Sequence, residues 1–143
     1  MAKLRNKIPT VVLGTLGADA HMVGIWILNR ALKEAGFTVV FLGAVVPQQE
    51  FIEAAIETNA DAILVSSLYG MGVIDCEGMR DACTEAGLID ILLYVGGMLI
   101  ATEENWENTQ QRFLNMGFNR VYPPQTLPRT AIEDLKNDLS IVD

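Results

Sequence analysis

The only histidine of the chain, His21, stands in the segment Asp19-Ala20-His21-Met22-Val23-Gly24, two residues after a carboxylate. A neutral imidazole is a common metal ligand, and such a ring is usually oriented by a carboxylate or carbonyl that accepts the proton of its other nitrogen. Asp19 is spaced to do this from within a loop. Where a helix begins, its partial positive charge disfavours imidazolium and leaves the lone pair available. The same residues also read as a helix cap, Asp19, followed by an ordinary exposed first-turn residue, His21, and on spacing alone that is the commoner arrangement. One His and one Asp do not close a zinc site, which takes about four protein ligands. A metal that arrives inside its own macrocycle needs only one axial ligand.

Other chemistry is poorly served. Gly14 and Gly17 follow an apolar run without spelling GxGxxG, and no GxxxxGK[ST] occurs, which disfavours dinucleotide and P-loop sites. Ser66 and Ser67 have no second histidine to act as a base, so they read as ligand contacts or turn formers. A phosphorelay receiver would place Asp where Ser66 stands. Cys76 and Cys83 match neither a CxxC pair nor a zinc knuckle and read as reduced core thiols. Tyr69, Trp26 and Trp106 read as core or interface aromatics.

Five strand-like runs must hold these residues: Thr10 to Thr15, Thr38 to Leu42, Ala62 to Ser66, Ile91 to Val95 and Arg120 to Tyr122. Helical patterns fill the gaps. Met22, Ile25, Leu28, Leu32 and Ala35 recur at three- and four-residue steps until Gly36. A second helix opens with Pro47 and puts Phe51, Ile52, Ala55 and Ile56 on one side. A third is expected from Asp75 to Ala86, a fourth from Thr102 to Gly117 and a fifth near Pro128. The first, third and fourth strands are almost wholly apolar, as strands covered on both faces are. The expectation is one doubly wound α/β domain over residues 1–143, flavodoxin-like or Rossmann-like, with a five-stranded parallel sheet of order 2-1-3-4-5. In such sheets ligands sit beyond the carboxyl ends of the strands. That selects the loops Gly14 to Gly24, Ser66 to Gly72 and Gly96 to Thr102, all rich in small residues that let a ligand approach the backbone.

The chain has 143 residues, half of them hydrophobic, which suits one domain with one continuous core. Its formal charge of -8 argues against nucleic acid or an anionic membrane as partner, since either calls for clustered Lys and Arg. Lys3, Arg5 and Lys7 are followed by no long apolar stretch, so a secretory signal is not expected and a cytoplasmic location is. The run from Ile91 to Ala101 is too short to cross a bilayer.

Together these motifs resemble a known family. Asp19-Ala20-His21-Met22-Val23-Gly24 is similar to the DxHxxG signature of cobalamin-binding domains, Ser66-Ser67-Leu68 to their SxL element and Gly96-Gly97 to their GG element, in the same order. The stretches from Ile56 to Gly70, Ile74 to Cys76 and Met116 to Pro124 resemble the small subunits of glutamate mutase, or methylaspartate mutase. The resemblance covers nearly the whole chain. It implies an adenosylcobalamin cofactor whose nucleotide base is displaced from cobalt, with His21 as the axial ligand and Asp19 as its hydrogen-bonded partner. Gly24 would let the first helix begin beside the cofactor tail, and Ser66, Ser67 and Leu68 would line the slot for the displaced base. Gly96 and Gly97 would let the tail pass closely, with Met98, Leu99, Ile100, Ala101 and Thr102 beside it. Ala18, Ala20 and Met22 would border the cofactor with the rest of this loop, Ala18 and Ala20 standing where the small subunits carry Ser and Cys.

The resemblance also implies a larger TIM-barrel catalytic subunit that binds substrate, so that this chain is not active alone. The implied reaction begins with homolysis of the cobalt–carbon bond; hydrogen is taken from L-glutamate, and a glycyl fragment migrates to give (2S,3S)-3-methylaspartate. Two rivals share parts of this pattern. Another carbon-skeleton mutase or a corrinoid methyl carrier would use the same motifs, although methyl carriers usually place a helical cap domain before the first strand, which here is expected near Thr10. A cofactor-free regulatory or scaffold protein of flavodoxin-like fold would leave Asp19 and His21 as surface residues.

Overall fold

Alternation of apolar side chains along the central strands decides which layer each residue serves. The computed structural model describes residues 8–17, 23–67, 72–97 and 106–141. Its elements run β1 (Thr10–Leu16), α1 (Val23–Glu34), β2 (Thr38–Val46), α2 (Gln48–Thr58), β3 (Ala62–Ser67), α3 (Gly72–Cys76), α4 (Met79–Glu85), β4 (Leu92–Gly97), α5 (Trp106–Asn115), β5 (Arg120–Val121) and α6 (Pro128–Asp138). All five strands pair in parallel, in the order β2-β1-β3-β4-β5. The doubly wound flavodoxin-like sheet read from the sequence is therefore the sheet observed.

Val11 and Leu13 of β1, Ala62 and Leu64 of β3, and Tyr94 of β4 enter one core with Ile25 and Leu32 of α1 and Leu135 of α6. Val12 and Leu16, Ile63 and Val65, and Leu93 and Val95 point the other way. They pack with Phe51, Ile52 and Ala55 of α2, Cys76, Met79 and Cys83 of α3 and α4, and Phe113 of α5. Burying each large aliphatic side chain stabilises the fold by roughly 1.5–3 kcal/mol. The alternation also fixes register, because a slip of one residue would turn both sets to the wrong face.

That register matters most at the carboxyl ends. Thr15 of β1 pairs with Ser66 of β3, Ser66 with Gly96 of β4, and Ser67 with Gly97, so the three strands finish at one level. The β1–β2 ladder shifts on either side of Gly14, where an added Cβ would lie 3.2 Å from both the Gly43 carbonyl and the Phe51 ring.

Several local expectations need correction. The helix expected from Asp75 to Ala86 is two helices, because Gly78 takes a left-handed φ of 77° and ends the first hydrogen-bonded run. Ile56 is half-exposed at 50%, not buried with Phe51 and Ile52. At 3.6 residues per turn it lies roughly 140° around the helix from Phe51, beyond the covered arc. Pro47 caps α2 from outside, with extended φ and ψ. β2 continues past Leu42 to Val46. Asn29, polar and unforeseen, is buried on α1, and its Oδ1 has no hydrogen-bond partner among the described residues.

Arg80 of α4 ties the far edge together. Its Nε donates to the Gly117 carbonyl, Nη1 to the Ile91 carbonyl and Nη2 to Asn119 Oδ1, which also accepts the Leu93 amide. Gly117 has a φ of 104°, and a Cβ there would fall 2.5 Å from Arg80 Cβ. Gly117→Ala should therefore lower unfolding stability by about 1–3 kcal/mol through backbone strain, with any clash against Arg80 adding to it. Urea denaturation checks this, and an unchanged midpoint would show that the turn accepts a side chain.

Candidate functional site

Glycines and serines at the ends of β3 and β4 leave space that larger side chains would fill. Beyond the carboxyl ends of the strands lies a cavity of about 640 Å³, within the roughly 300–1,000 Å³ typical of small-molecule sites. Gly24, Ile27 and Leu28 of α1 form one wall. The base is made of strand ends, including Ser66, Ser67, Gly96 and Gly97. The opposite wall is the segment from Tyr122 to Pro128 with Ala131 of α6.

Five of the residues singled out from sequence thus meet around one space: Gly24, Ser66, Ser67, Gly96 and Gly97. Ala18, Asp19, Ala20, His21, Met22, Leu68, Met98, Leu99, Ile100, Ala101 and Thr102 lie outside the described residues, as does Tyr69. Gly24 has nothing within 4 Å of an added Cβ, so the start of α1 is open on that side. Gly97 is the opposite case: its φ is 98°, and a Cβ would meet the Ser67 carbonyl at 2.6 Å. Only glycine lets β4 end so close to β3.

The lining is mostly apolar, and among the described residues no charged side chain lines it. The Ser67 side chain, on a residue only 1% exposed, follows Ile63 and Val65 along β3 and so turns to the layer of α2 to α5, beside Cys76. Beside it, burial first and the Asp75 charge second push the Cys76 thiol up to about 12, against a weaker opposing contact from Ser67. Cys76 is therefore an inert thiol, and Cys83 is likewise free, buried and shifted upward by burial.

Asp75 borders the approach to the first loop. Its carboxylate occupies the space where a Gly17 Cβ would sit, 2.3 Å away, and its Oδ2 is buried without a hydrogen-bond partner among the described residues. Gln48 Nε2 holds the Asp75 carbonyl at 2.6 Å, and the Gly17 amide donates to Val46 at 2.9 Å. These contacts fix the stem from which residues 18–22 depart.

The cavity's outer wall, from Tyr122 to Pro128, was not among the three loops selected from the sequence. The signal was present, since the loop after β5 leaves the same carboxyl edge as the three loops that were selected. Two tyrosines stand at its base. Tyr94 and Tyr122 pack edge to face, 5.9 Å between ring centres. The Tyr94 hydroxyl donates to Asp138, and that of Tyr122 donates to Asp134 at 2.6 Å. Arg120 spans both acids, with two bonds of 2.8 Å to Asp138 and a 3.4 Å ion pair to Asp134. Burial, then the adjacent carboxylates, hold both phenols above their usual range, so they remain protonated. The hydrogen bond from Arg120 is the largest influence holding the Asp138 carboxyl low. The described lining can therefore bind and position a guest through aromatic and aliphatic surface and small residues.

Comparison with known proteins places this architecture. The B12 binding domain family matches residues 9–113. The glutamate mutase sigma subunit of Clostridium tetani is 55% identical over 132 residues, covering 92% of this chain and 96% of that protein. Among solved structures, a cobalamin-binding protein from Desulfitobacterium hafniense DCB-2 superposes with a TM-score of 0.75 at 24% identity, over 92% of this chain and 59% of that one. The signal receiver domain of the response regulator NarL from Mycobacterium tuberculosis gives 0.67 at 17% identity, over 94% and 98%. Those two likenesses concern the fold alone, which serves different tasks. This chain belongs to the B12-binding domain family, among the sigma subunits of glutamate mutase.

The tyrosine and carboxylate network gives the molecule an acid-sensitive side. Asp138 binds its proton less readily folded than unfolded. Its contribution is therefore complete above the ordinary value of 3.8 and is lost as pH falls through the depressed folded value. Denaturant titrations at descending pH should show stability falling in that window, with a shallower acid slope in Asp138→Asn. Equal slopes would assign the acid sensitivity to other carboxylates.

Proposed function

We propose that this chain is the cobalamin-carrying small subunit of an adenosylcobalamin-dependent glutamate mutase, an isomerase that interconverts L-glutamate and (2S,3S)-3-methylaspartate. The observation that carries this reading is the meeting of Gly24 of α1, Ser66 and Ser67 of β3, and Gly96 and Gly97 of β4 around one apolar cavity. Near-complete coverage of the sigma subunits at 55% identity supports it.

In this reading His21 would hold the cobalt and Asp19 would accept a hydrogen bond from its other ring nitrogen, fixing tautomer and orientation. Ser66, Ser67 and Leu68 receive the displaced nucleotide base. The close approach of β4 to β3 at Gly97 and the lack of a side chain at Gly24 suit such a guest. Gly96 and Gly97 leave room for the tail, with Met98, Leu99, Ile100, Ala101 and Thr102 beside it. When bound, the cofactor supplies a cobalt–carbon bond whose homolysis starts the rearrangement.

The chain's own work is to grip, orient and exclude water, while the substrate is held by a larger TIM-barrel partner in an assembly such as a heterotetramer. The whole of residues 1–143 acts as one cytoplasmic domain, without nucleic acid or membrane as partner. No helix among the described residues is long and apolar enough to cross a membrane.

Mixing the purified chain with a glutamate mutase large subunit, adenosylcobalamin and L-glutamate should yield 3-methylaspartate, with no product when this chain is omitted. Absence of product from the complete mixture would remove the mutase assignment. In cob(II)alamin bound to the chain, electron paramagnetic resonance should show nitrogen hyperfine splitting from His21 that disappears in His21→Ala. Unchanged splitting in that variant would place another nitrogen on the metal.

A further inference from the structure

The wall of the cavity opposite α1 is held by groups outside the cobalamin motifs. Tyr94 and Tyr122 both line the space, yet each turns its hydroxyl away from it, to Asp138 and Asp134 on α6. Arg120, from β5, joins the two carboxylates from the side. The cavity therefore meets the tyrosines as rings and not as donors. Gly96 lies at the foot of the same wall, where an added Cβ would be 3.5 Å from Tyr122 Cβ.

The arrangement has more parts than anchorage of a helix requires. Leu135 and Ala131 already bury the apolar stripe of α6. What the clamp adds is placement: it fixes both rings and the start of the segment that runs from Tyr122 through Pro123 and Pro124 to Pro128. The three prolines limit how far that segment can adjust by itself, so its distance from α1 follows from where α6 and β5 are pinned.

We infer that Arg120, Asp134 and Asp138 form a positioning clamp that sets the width of the slot for the nucleotide tail, acting through Tyr94 and Tyr122. This rests on the cobalamin reading above and deepens it. The clamp acts on the tail and not on the corrin, because its tyrosines border the cavity between α1 and α6 and no member belongs to the loop that bears His21.

Tail and corrin can be separated chemically, since cobinamide keeps the corrin but lacks the nucleotide. Absorbance titrations of the full chain with adenosylcobalamin and with adenosylcobinamide, for wild type and for the double variant Asp134→Asn, Asp138→Asn, read the two contributions. The variant should bind adenosylcobalamin at least ~10-fold more weakly and adenosylcobinamide within about twofold of wild type. Tyr122→Phe, which keeps the ring and loses only the hydroxyl, should show the same selectivity with a smaller loss. Equal losses for both ligands would reduce the clamp to general support of the fold, and unchanged cobalamin affinity would remove its role. A wild-type chain that binds neither ligand would overturn the cofactor reading and the clamp with it. Circular dichroism and thermal melting of each variant show that the comparison is between folded proteins, and Tyr122→Phe carries the test should the double variant not fold.

Discussion

The shared finishing line of β1, β3 and β4 is the constraint on which the rest depends. Thr15, Ser66 and Gly96 are paired across three strands, and one residue further Ser67 faces Gly97. Side chains buried on both sides hold that alignment, since Val11, Val12 and Leu13 of β1 are wholly inaccessible and so are Ala62, Ile63, Leu93 and Val95 beside them. Any displacement along a strand would turn aliphatic groups toward the opposite layer. The loops that leave this line start from a common plane, and small residues at their roots create the opening.

The site and its support obey opposite rules. At the floor of the cavity, Gly97 stands at a close approach to Ser67 that excludes a side chain, and small residues keep the space open. Behind the outer wall, polar groups are densely paired: two phenols, two carboxylates and a guanidinium satisfy one another. Small and apolar groups face the guest, and paired polar groups face the scaffold.

Much of the fold was legible because periodicity is a strong signal in central parallel strands. Runs such as Val11 to Leu13 and Ile63 to Val65 have no polar face, and the glycines at 36, 87 and 117 mark the ends of helical patterns with positive φ. Where the reading failed, a local backbone effect had beaten the pattern. Gly78 interrupted a helix that the apolar spacing carried through, and Ile56 lay just past the arc that the sheet covers. The floor of the site was legible from its small residues. The outer wall was not, since Tyr94, Tyr122, Asp134 and Asp138 are spread over 45 positions and become neighbours only when α6 folds back on the sheet. Nothing in their spacing announces a network.

The two layers are unequally covered: α2, α3, α4 and α5 pack on one side of the sheet, but only α1 and α6 on the other. The hollow opens between those two, the first and last helices among the described residues. Anything lodged there touches both at once and works like the pin of a clasp. Fraying from the carboxyl-terminal end and escape of the guest then become one event, so that occupancy guards the chain where unravelling would otherwise begin.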